Sequence, residues 1–342
     1  MPEVGLINPS LIDVMNNTNA DGSIVKIIET LEEMNKILQH ASYMMCNDGS
    51  KHKTTIRSGI PEPAFRRYNQ GVQPSNTQEV PVVDTTGMIE DYLEVDKALA
   101  NLSDNAMAFR ANKAKGIMQG FNNFVARQLF YGSTKVTPEG FMGMTPRYSM
   151  LPTNTEASAS ARQVVDAGGT GSDNASIWFI TWGETQTQLL YPKGSTMGFQ
   201  HDDLGQDTRD FIDPVDNNRK LMEVYRDHFK WDIGMTDQDW RSTARICNID
   251  VSELTNNASS GADLLDLMID AEQNLDEQAT AGGKTCIYVS RTVHAFLRKQ
   301  ALNKAQNGTL TIDNVAGKRV VMWGEYEVAR IDALLETEQR VV

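Results

Sequence analysis

Apolar positions along this chain follow two rhythms. Ile24, Ile27, Ile28, Leu31, Met34 and Leu38 recur at three- and four-residue steps, which predicts an amphipathic helix over 23–40. Met107, Ala111, Ala114, Met118, Phe121, Val125 and Leu129 repeat that spacing, and they mark a longer helix from Asp104 to Tyr131. Asp104 suits its N-cap and Gly132 its end. At 1.5 Å per residue this helix is about 40 Å long. Gly116 and Gly120 each weaken it by about 1 kcal/mol relative to alanine, so packing has to hold it. Leu264, Leu265, Leu267, Met268, Ala271 and Leu275 predict a further helix, and Val293, Phe296, Leu297 and Leu302 another over 291–306.

The second rhythm is the short, dense β-type run. Ser176–Trp182 is the densest, and residues 246–251 and 285–289 are shorter examples. Residues 319–323 and 326–331 flank Gly324-Glu325, a two-residue hairpin turn. Thr54-Thr55-Ile56 and Val80 to Val83 read as the two strands of a long hairpin with a Pro/Gly-rich tip. Residues 189–220, rich in Gly, Asp, Asn and Pro, read as irregular loops. Strands and helices mix without regular βαβ alternation, so the expected class is α+β.

Charge adds a second division. The chain of 342 residues carries 32 basic and 45 acidic side chains, a net −13 that disfavours general binding to nucleic acid phosphates. Residues 1–50 hold two basic against seven acidic groups, a net −5, with Glu29, Glu32 and Glu33 on the polar face of the first helix. Residues 51–75 hold five basic groups, Arg57, Arg66 and Arg67 among them, against Glu62 alone. A connection this long is typically functional, although a solvated surface loop has the same composition. Hydrophobic content of 40% suits a folded protein of about two domains' worth of core. No run approaches the ~18–20 apolar residues of a membrane span, and Met1–Ser10 shows no secretory pattern. Cys46, Cys247 and Cys286 stand far apart and read as buried free thiols.

Catalytic patterns are sparse. Gly283-Lys284-Thr285 lacks the upstream glycine and following helix of a phosphate loop, and Gly168-Gly169-Thr170-Gly171 lacks dinucleotide spacing. No G-x-S-x-G or H-E-x-x-H occurs. His201-Asp202-Asp203, with Asp213 nearby, is the one hard-metal candidate, because imidazole and carboxylates in a loop can ligate a divalent ion. It defines the alternative of a metal-dependent hydrolase; the competing reading is a turn-rich loop without metal.

The order of these elements resembles the major capsid proteins of tailed phages, the Hong Kong 97-type fold. Thr54-Thr-Ile-Arg57-Ser-Gly59-Ile-Pro61 and Phe65-Arg-Arg-Tyr-Asn69-Gln-Gly71 are similar to the extended loop of capsid proteins from short-tailed phages. Gly87 to Lys97, Ser176-Ile-Trp178, Tyr191-Pro-Lys-Gly194, His201 to Gly205, Asp239-Trp-Arg241 and Arg245 to Asp250 resemble further stretches of the same group, in the same order.

The resemblance implies an N-terminal arm over 1–50, an extended loop over 51–94, and a peripheral domain with the spine helix over 95–175. It further implies a mainly axial domain over 176–312 and returning strands over 313–342. The function it implies is a structural, non-enzymatic subunit without cofactor or metal, which assembles through hexamers and pentamers into an icosahedral shell around double-stranded DNA. No sequence-specific DNA binding and no membrane role are expected. Scaffolding, portal and possibly cementing proteins are the implied partners, the virion the location, and the host cytoplasm the place of synthesis. A non-viral shell protein of the same fold is a second alternative. No cleavable scaffold region is expected ahead of the arm, and no lysine or asparagine matches a cross-linking motif. Inter-subunit contacts are expected at Arg57, Pro61, Pro63, Arg66 and Arg67 on the loop and at Glu29, Glu32 and Glu33 on the arm. Arginine forks pair well with carboxylates, and the prolines stiffen the loop.

Overall fold

The computed structural model describes residues 35–59, 61–102, 105–212, 219–258, 261–303, 310–315 and 318–342. Its strands begin with Tyr43–Met45 (β1), Lys51–Gly59 (β2), Gln78–Asp96 (β3), Val164–Asp166 (β4), Asn174–Trp182 (β5) and Thr187–Tyr191 (β6). They continue with Phe199–Ile212 (β7), Arg219–Asp237 (β8), Thr243–Asp250 (β9) and Lys284–Val289 (β10), and end with Leu310–Val315 (β11), Lys318–Trp323 (β12) and Tyr326–Arg330 (β13). The main helices are Ala106–Tyr131 (α1), Leu264–Asn274 (α2) and Arg291–Asn303 (α3). The described chain forms two units. The larger holds residues from 35–87, 126–195 and 233–342, and the smaller holds residues from 88–125 and 196–232.

The larger unit is organised on β5, whose nine residues are all buried. A strand covered on both faces needs the near-continuous apolar run that Ile177 to Ile180 supplies. β5 pairs antiparallel with β9 and β10. β10 then pairs parallel with β13, and β12 and β11 follow in order. Leu264, Leu265 and Met268 of α2 and Val293 and Leu297 of α3 join Phe179, Ile246 and Ile287 in one core cluster. Each large side chain so buried contributes about 1.5–3 kcal/mol. Asp263 caps α2 by accepting the Asp266 N–H. Gly324, at φ +56°, makes the tight turn between β12 and β13.

A buried polar network fastens the chain's last residues to this core. Glu338 accepts hydrogen bonds from Arg245 Nη2 (2.7 Å), Ser176 Oγ (2.5 Å) and the Tyr131 hydroxyl (2.5 Å). Arg245 also donates to the Tyr148 carbonyl at 2.8 Å and lies 4.9 Å from the Trp178 ring centroid. The three donors to Glu338 are thus drawn from β9, β5 and α1, and burial followed by the Glu338 charge pushes the Tyr131 phenol up.

The three cysteines are buried and unpaired. Burial pushes the Cys46 and Cys286 thiols up to about 11 and Cys247 to about 12. At pH 8 the native protein is expected to leave a disulfide reagent such as dithionitrobenzoate unreacted, and to consume three equivalents in guanidinium. A rapidly titrating native thiol would contradict this.

In the smaller unit, residues of α1, β7 and β8 form an aromatic centre. Phe121 and Phe199 meet edge-on at 5.2 Å, and Phe199 stacks on Phe229 at 5.8 Å. Here the structure corrects two expectations. The irregular loops expected over 189–220 are largely strand: Thr187–Tyr191 is β6, and β7 pairs with β8 from Phe199↔Trp231 to Ile212↔Arg219. Much of this ribbon is exposed, so no apolar alternation announces it, and Asp and Gly mimic turn chemistry. The break between Asp203 and Gly205 is a bulge, with Gly205 at φ +76°. The second correction concerns α1. Its expected apolar stripe is buried at Phe121, Val125 and Leu129, whereas Met107, Ala111 and Met118 are exposed and Phe109 is buried instead.

The helix expected over 23–40 is described only at Ile37–His40, and its earlier residues lie outside the described ones. α3 is described over Arg291–Asn303 of the expected 291–306, residues 304–306 lie outside the described ones, and Leu302 is exposed. No helix among the described residues is long and apolar enough to cross a membrane.

Candidate assembly surface

β2 and β3 form the predicted hairpin, in one register from Lys51↔Thr85 to Arg57↔Glu79, with a shift before the last pair, Gly59↔Gln78. Its base is held against the larger unit by Asp84, which accepts from Arg147 Nη2 at 2.6 Å. The strands fit closely: a Cβ on Gly234 would stand 2.7 Å from the Thr85 carbonyl oxygen. Beyond the strands the tip, 61–77, has no buried residue. Phe65 and Tyr68 are fully exposed, at 109% and 100%. Such aromatics on one short segment are the residue types that anchor protein interfaces.

Local bonds shape the tip. The Gln70 N–H donates to the Arg67 carbonyl at 3.2 Å, closing a turn with Asn69 at φ +63°. Arg66 Nε donates to the Gln70 carbonyl at 2.7 Å. Arg66 therefore holds the turn that displays Tyr68, while Arg67 and Arg57 are exposed without an ion pair among the described residues. Pro61 is half-buried and Pro63 exposed. Glu29, Glu32 and Glu33 lie outside the described residues. Neither Phe65 nor Tyr68 stands among the contacts expected from charge. Their signal is two aromatics inside a basic Pro/Gly segment with no periodicity that could bury them.

At the base of the hairpin lies a cavity of about 490 Å³, walled by Ile56, Val80, Val82 and Trp240 with Arg57 at its lining. Asp237 and Arg147 also line it. The buried Tyr148 hydroxyl donates to Asp237 Oδ2 at 2.5 Å, but Asp237 Oδ1 and Arg147 Nε find no partner among the described residues. Burial raises the Asp237 carboxyl above its ordinary range.

The metal candidate is arranged differently. His201, Asp202 and Asp203 lie along β7, so successive side chains point to opposite faces. His201 Nε2 is 2.9 Å from Asp227 Oδ1, and Arg110 bonds both Asp227 (2.8 Å) and Asp203 (2.7 Å). The Arg110 guanidinium holds the Asp203 carboxyl below its usual range. A cation would have to displace that guanidinium. Among the described residues no group of three or more His, Cys, Asp or Glu forms a ligand set, and Asp213 lies outside them.

Residues 19–342 match the family model described as Major capsid protein GP7. The chain belongs to this family. It is a structural subunit of an icosahedral phage shell, and its place is the virion. The chain is 45% identical to one in the near-atomic-resolution cryo-EM structure of bacteriophage Epsilon15, covering 100% of this chain and 99% of that one at a TM-score of 0.78. The bacteriophage JBD30 capsid chain is similar at 8% identity and a TM-score of 0.45, covering 89% and 93%. An encapsulin of Synechococcus elongatus PCC 7942 matches at 10% identity and 0.40, covering 69% and 94%. No curated protein matches. The capsid subunit has the α+β, Hong Kong 97-type fold that the order of its elements implied. Full-length identity to a phage chain disfavours both the hydrolase and the non-viral shell.

Proposed function

We propose that residues 51–94 act as an extended loop whose tip, 61–77, lies on a neighbouring copy in the shell. The supporting observation is that Phe65 and Tyr68 are fully exposed on a tip with no buried residue. Arg57, Arg67 and, beyond its turn-holding role, Arg66 face acids of a neighbour, with Glu29, Glu32 and Glu33 of the arm as their counterparts. Exposed pairs contribute only about 0–1 kcal/mol each, so they set register and partner choice while the aromatics supply affinity. Pro61 and Pro63 limit the conformations lost on docking.

Around that contact the chain divides as arm (1–50), loop (51–94), peripheral domain (95–175), axial domain (176–312) and returning strands (313–342). Subunits group as hexamers and pentamers. The shell encloses double-stranded DNA without sequence-specific contacts, in keeping with a net charge of −13 that leaves the packaged genome mobile. Scaffolding, portal and cementing proteins complete the particle, and the subunit is made in the host cytoplasm. It catalyses no reaction and needs no cofactor.

Limited proteolysis tests the loop. In the unassembled subunit trypsin is expected to cut first after Arg66 or Arg67, which stand exposed on the tip. In closed shells the same bonds are expected to be protected at least tenfold. Equal cleavage rates in the two states would refute the contact.

A further inference from the structure

Glu327 on β13 stands where three basic side chains meet. Lys36 Nζ lies 3.5 Å from its carboxylate, His40 Nε2 3.4 Å and Lys284 Nζ of β10 3.8 Å. Lys36 and His40 belong to residues 35–40, the first described segment, which is seated on the larger unit. There Asn35 bridges Ile331, Asn35 Oδ1 accepts the Ala333 N–H at 3.3 Å, and Ile37 is buried.

The His40 side chain is only 8% exposed, and its two nitrogens face different groups. Nδ1 is 3.2 Å from the Tyr288 hydroxyl, which itself accepts from Trp182 Nε1 at 2.7 Å. A bare Nε2 would set its lone pair against the Glu327 carboxylate. The neutral ring therefore keeps its proton on Nε2 and accepts the Tyr288 O–H on Nδ1. A second proton makes Nδ1 a donor, so that hydrogen bond has to reverse. The Tyr288 hydrogen then turns away, toward the Cys286 thiol that also bonds this hydroxyl. The imidazolium becomes a third cation beside one carboxylate, largely removed from water. Burial holds the His40 imidazole below its ordinary range; Glu327 opposes this, while Lys284 and Lys36 add to it.

We propose that His40 makes the seating of residues 35–40 on β10 and β13 acid-labile, firm while the ring is neutral and loosened when it takes a second proton. An unseated ring returns to water and titrates near about 6.5. The seated segment thus binds fewer protons than the unseated one, so seating is at full strength above that value and weakens below it. One proton changes this balance by at most about tenfold per pH unit. Carboxylates ordinarily titrate near about 4 and stay charged throughout this window. The consequence for the shell rests on the reading of residues 1–50 as an arm, whose root acid would free; the loosening itself does not.

Hydrogen exchange of the full-length free subunit tests this, followed from pH 7.5 to 5.5 as protection factors, which remove the intrinsic pH dependence of exchange. Protection of residues 36–41 is expected to fall about three- to tenfold across this range, with β5 unchanged. In His40→Gln the fall should vanish. His294 of α3 also has Lys36 as a charged neighbour, together with Arg298 and Arg330, and is the control: His294→Gln should keep the fall. Lys284→Gln, a change at an exposed side chain, takes a cation from the His40 site and should move the fall to higher pH.

A wild-type profile without a fall overturns the proposal, as does a fall that His40→Gln keeps or His294→Gln abolishes. If His40→Gln leaves 36–41 unprotected at every pH, Lys284→Gln decides: a raised midpoint supports the proposal and an unmoved one overturns it. The arm is tested separately by the critical concentration for assembly, which is expected to rise more on acidification in wild type than in His40→Gln. Equal rises, with the exchange results as expected, would overturn the arm reading and leave the acid-labile seating standing.

Discussion

Excising residues 60–77 and closing Gly59 to Gln78 with an Asn-Gly turn is expected to leave a folded subunit that forms no closed shells. Gly59 and Gln78 already pair across the strands, so a two-residue turn can bridge them. The described tip buries nothing, and its Arg66–Gln70 and Arg67–Gln70 bonds are internal. Its removal therefore costs the free subunit little, and the shorter connection has a slightly smaller closure entropy. Assembly loses both aromatic anchors, and interface anchors of this kind each contribute about 2 kcal/mol or more. Multiplied over every subunit, that loss exceeds what rim charges can replace. Circular dichroism and melting of the free subunit, set beside electron micrographs of the assembly reaction, check both halves. Normal shells from this variant would contradict the role of the tip.

Glu338→Ala is expected to have the largest effect on the subunit's own stability. It strands the Arg245 guanidinium, which is 1% exposed, beside the Ser176 and Tyr131 hydroxyls. Removing one member of a buried ion pair costs about 3–5 kcal/mol. In denaturant titration of the free subunit that loss should appear as a lower midpoint with an unchanged slope. In melting it corresponds to about 10 °C, at 2–4 °C per kcal/mol. The paired change Arg245→Met with Glu338→Leu should recover part of the loss, since it removes both charges together. A single variant within about 0.5 kcal/mol of wild type would show that the network does not fasten the last residues to the core.

Much of the larger unit was legible in the sequence. β5 and β10 declare themselves because strands covered on both faces carry near-continuous apolar runs, Ile177 to Ile180 and Cys286 to Val289, and α2 because its core residues keep helical spacing. The β7–β8 ribbon was illegible for the converse reason. Long-range pairing holds it, including Glu94 with Arg209 at 2.8 Å and Arg226 at 3.2 Å, and the largely exposed run of β7 from His201 to Asp210 leaves no apolar period, although Val224, Phe229 and Trp231 of β8 are buried. α1 was legible as a helix, but its buried face was not. Phe109 is buried in place of Met107, and the three- and four-residue spacing cannot show that the covered side shifts along the helix. Among candidate contacts, charge pointed to the loop, whereas the full exposure of Phe65 and Tyr68 is a property of the fold. Arg245 and Glu338, 93 residues apart, could be joined only by folding.

A cryo-EM reconstruction of the assembled shell, at a resolution that traces the backbone, tests the central claim most directly. The expected map carries residues 61–77 over an adjacent subunit, with the Phe65 and Tyr68 side chains buried there. A map in which that segment folds onto its own subunit, or projects from the shell touching no other copy, would contradict it.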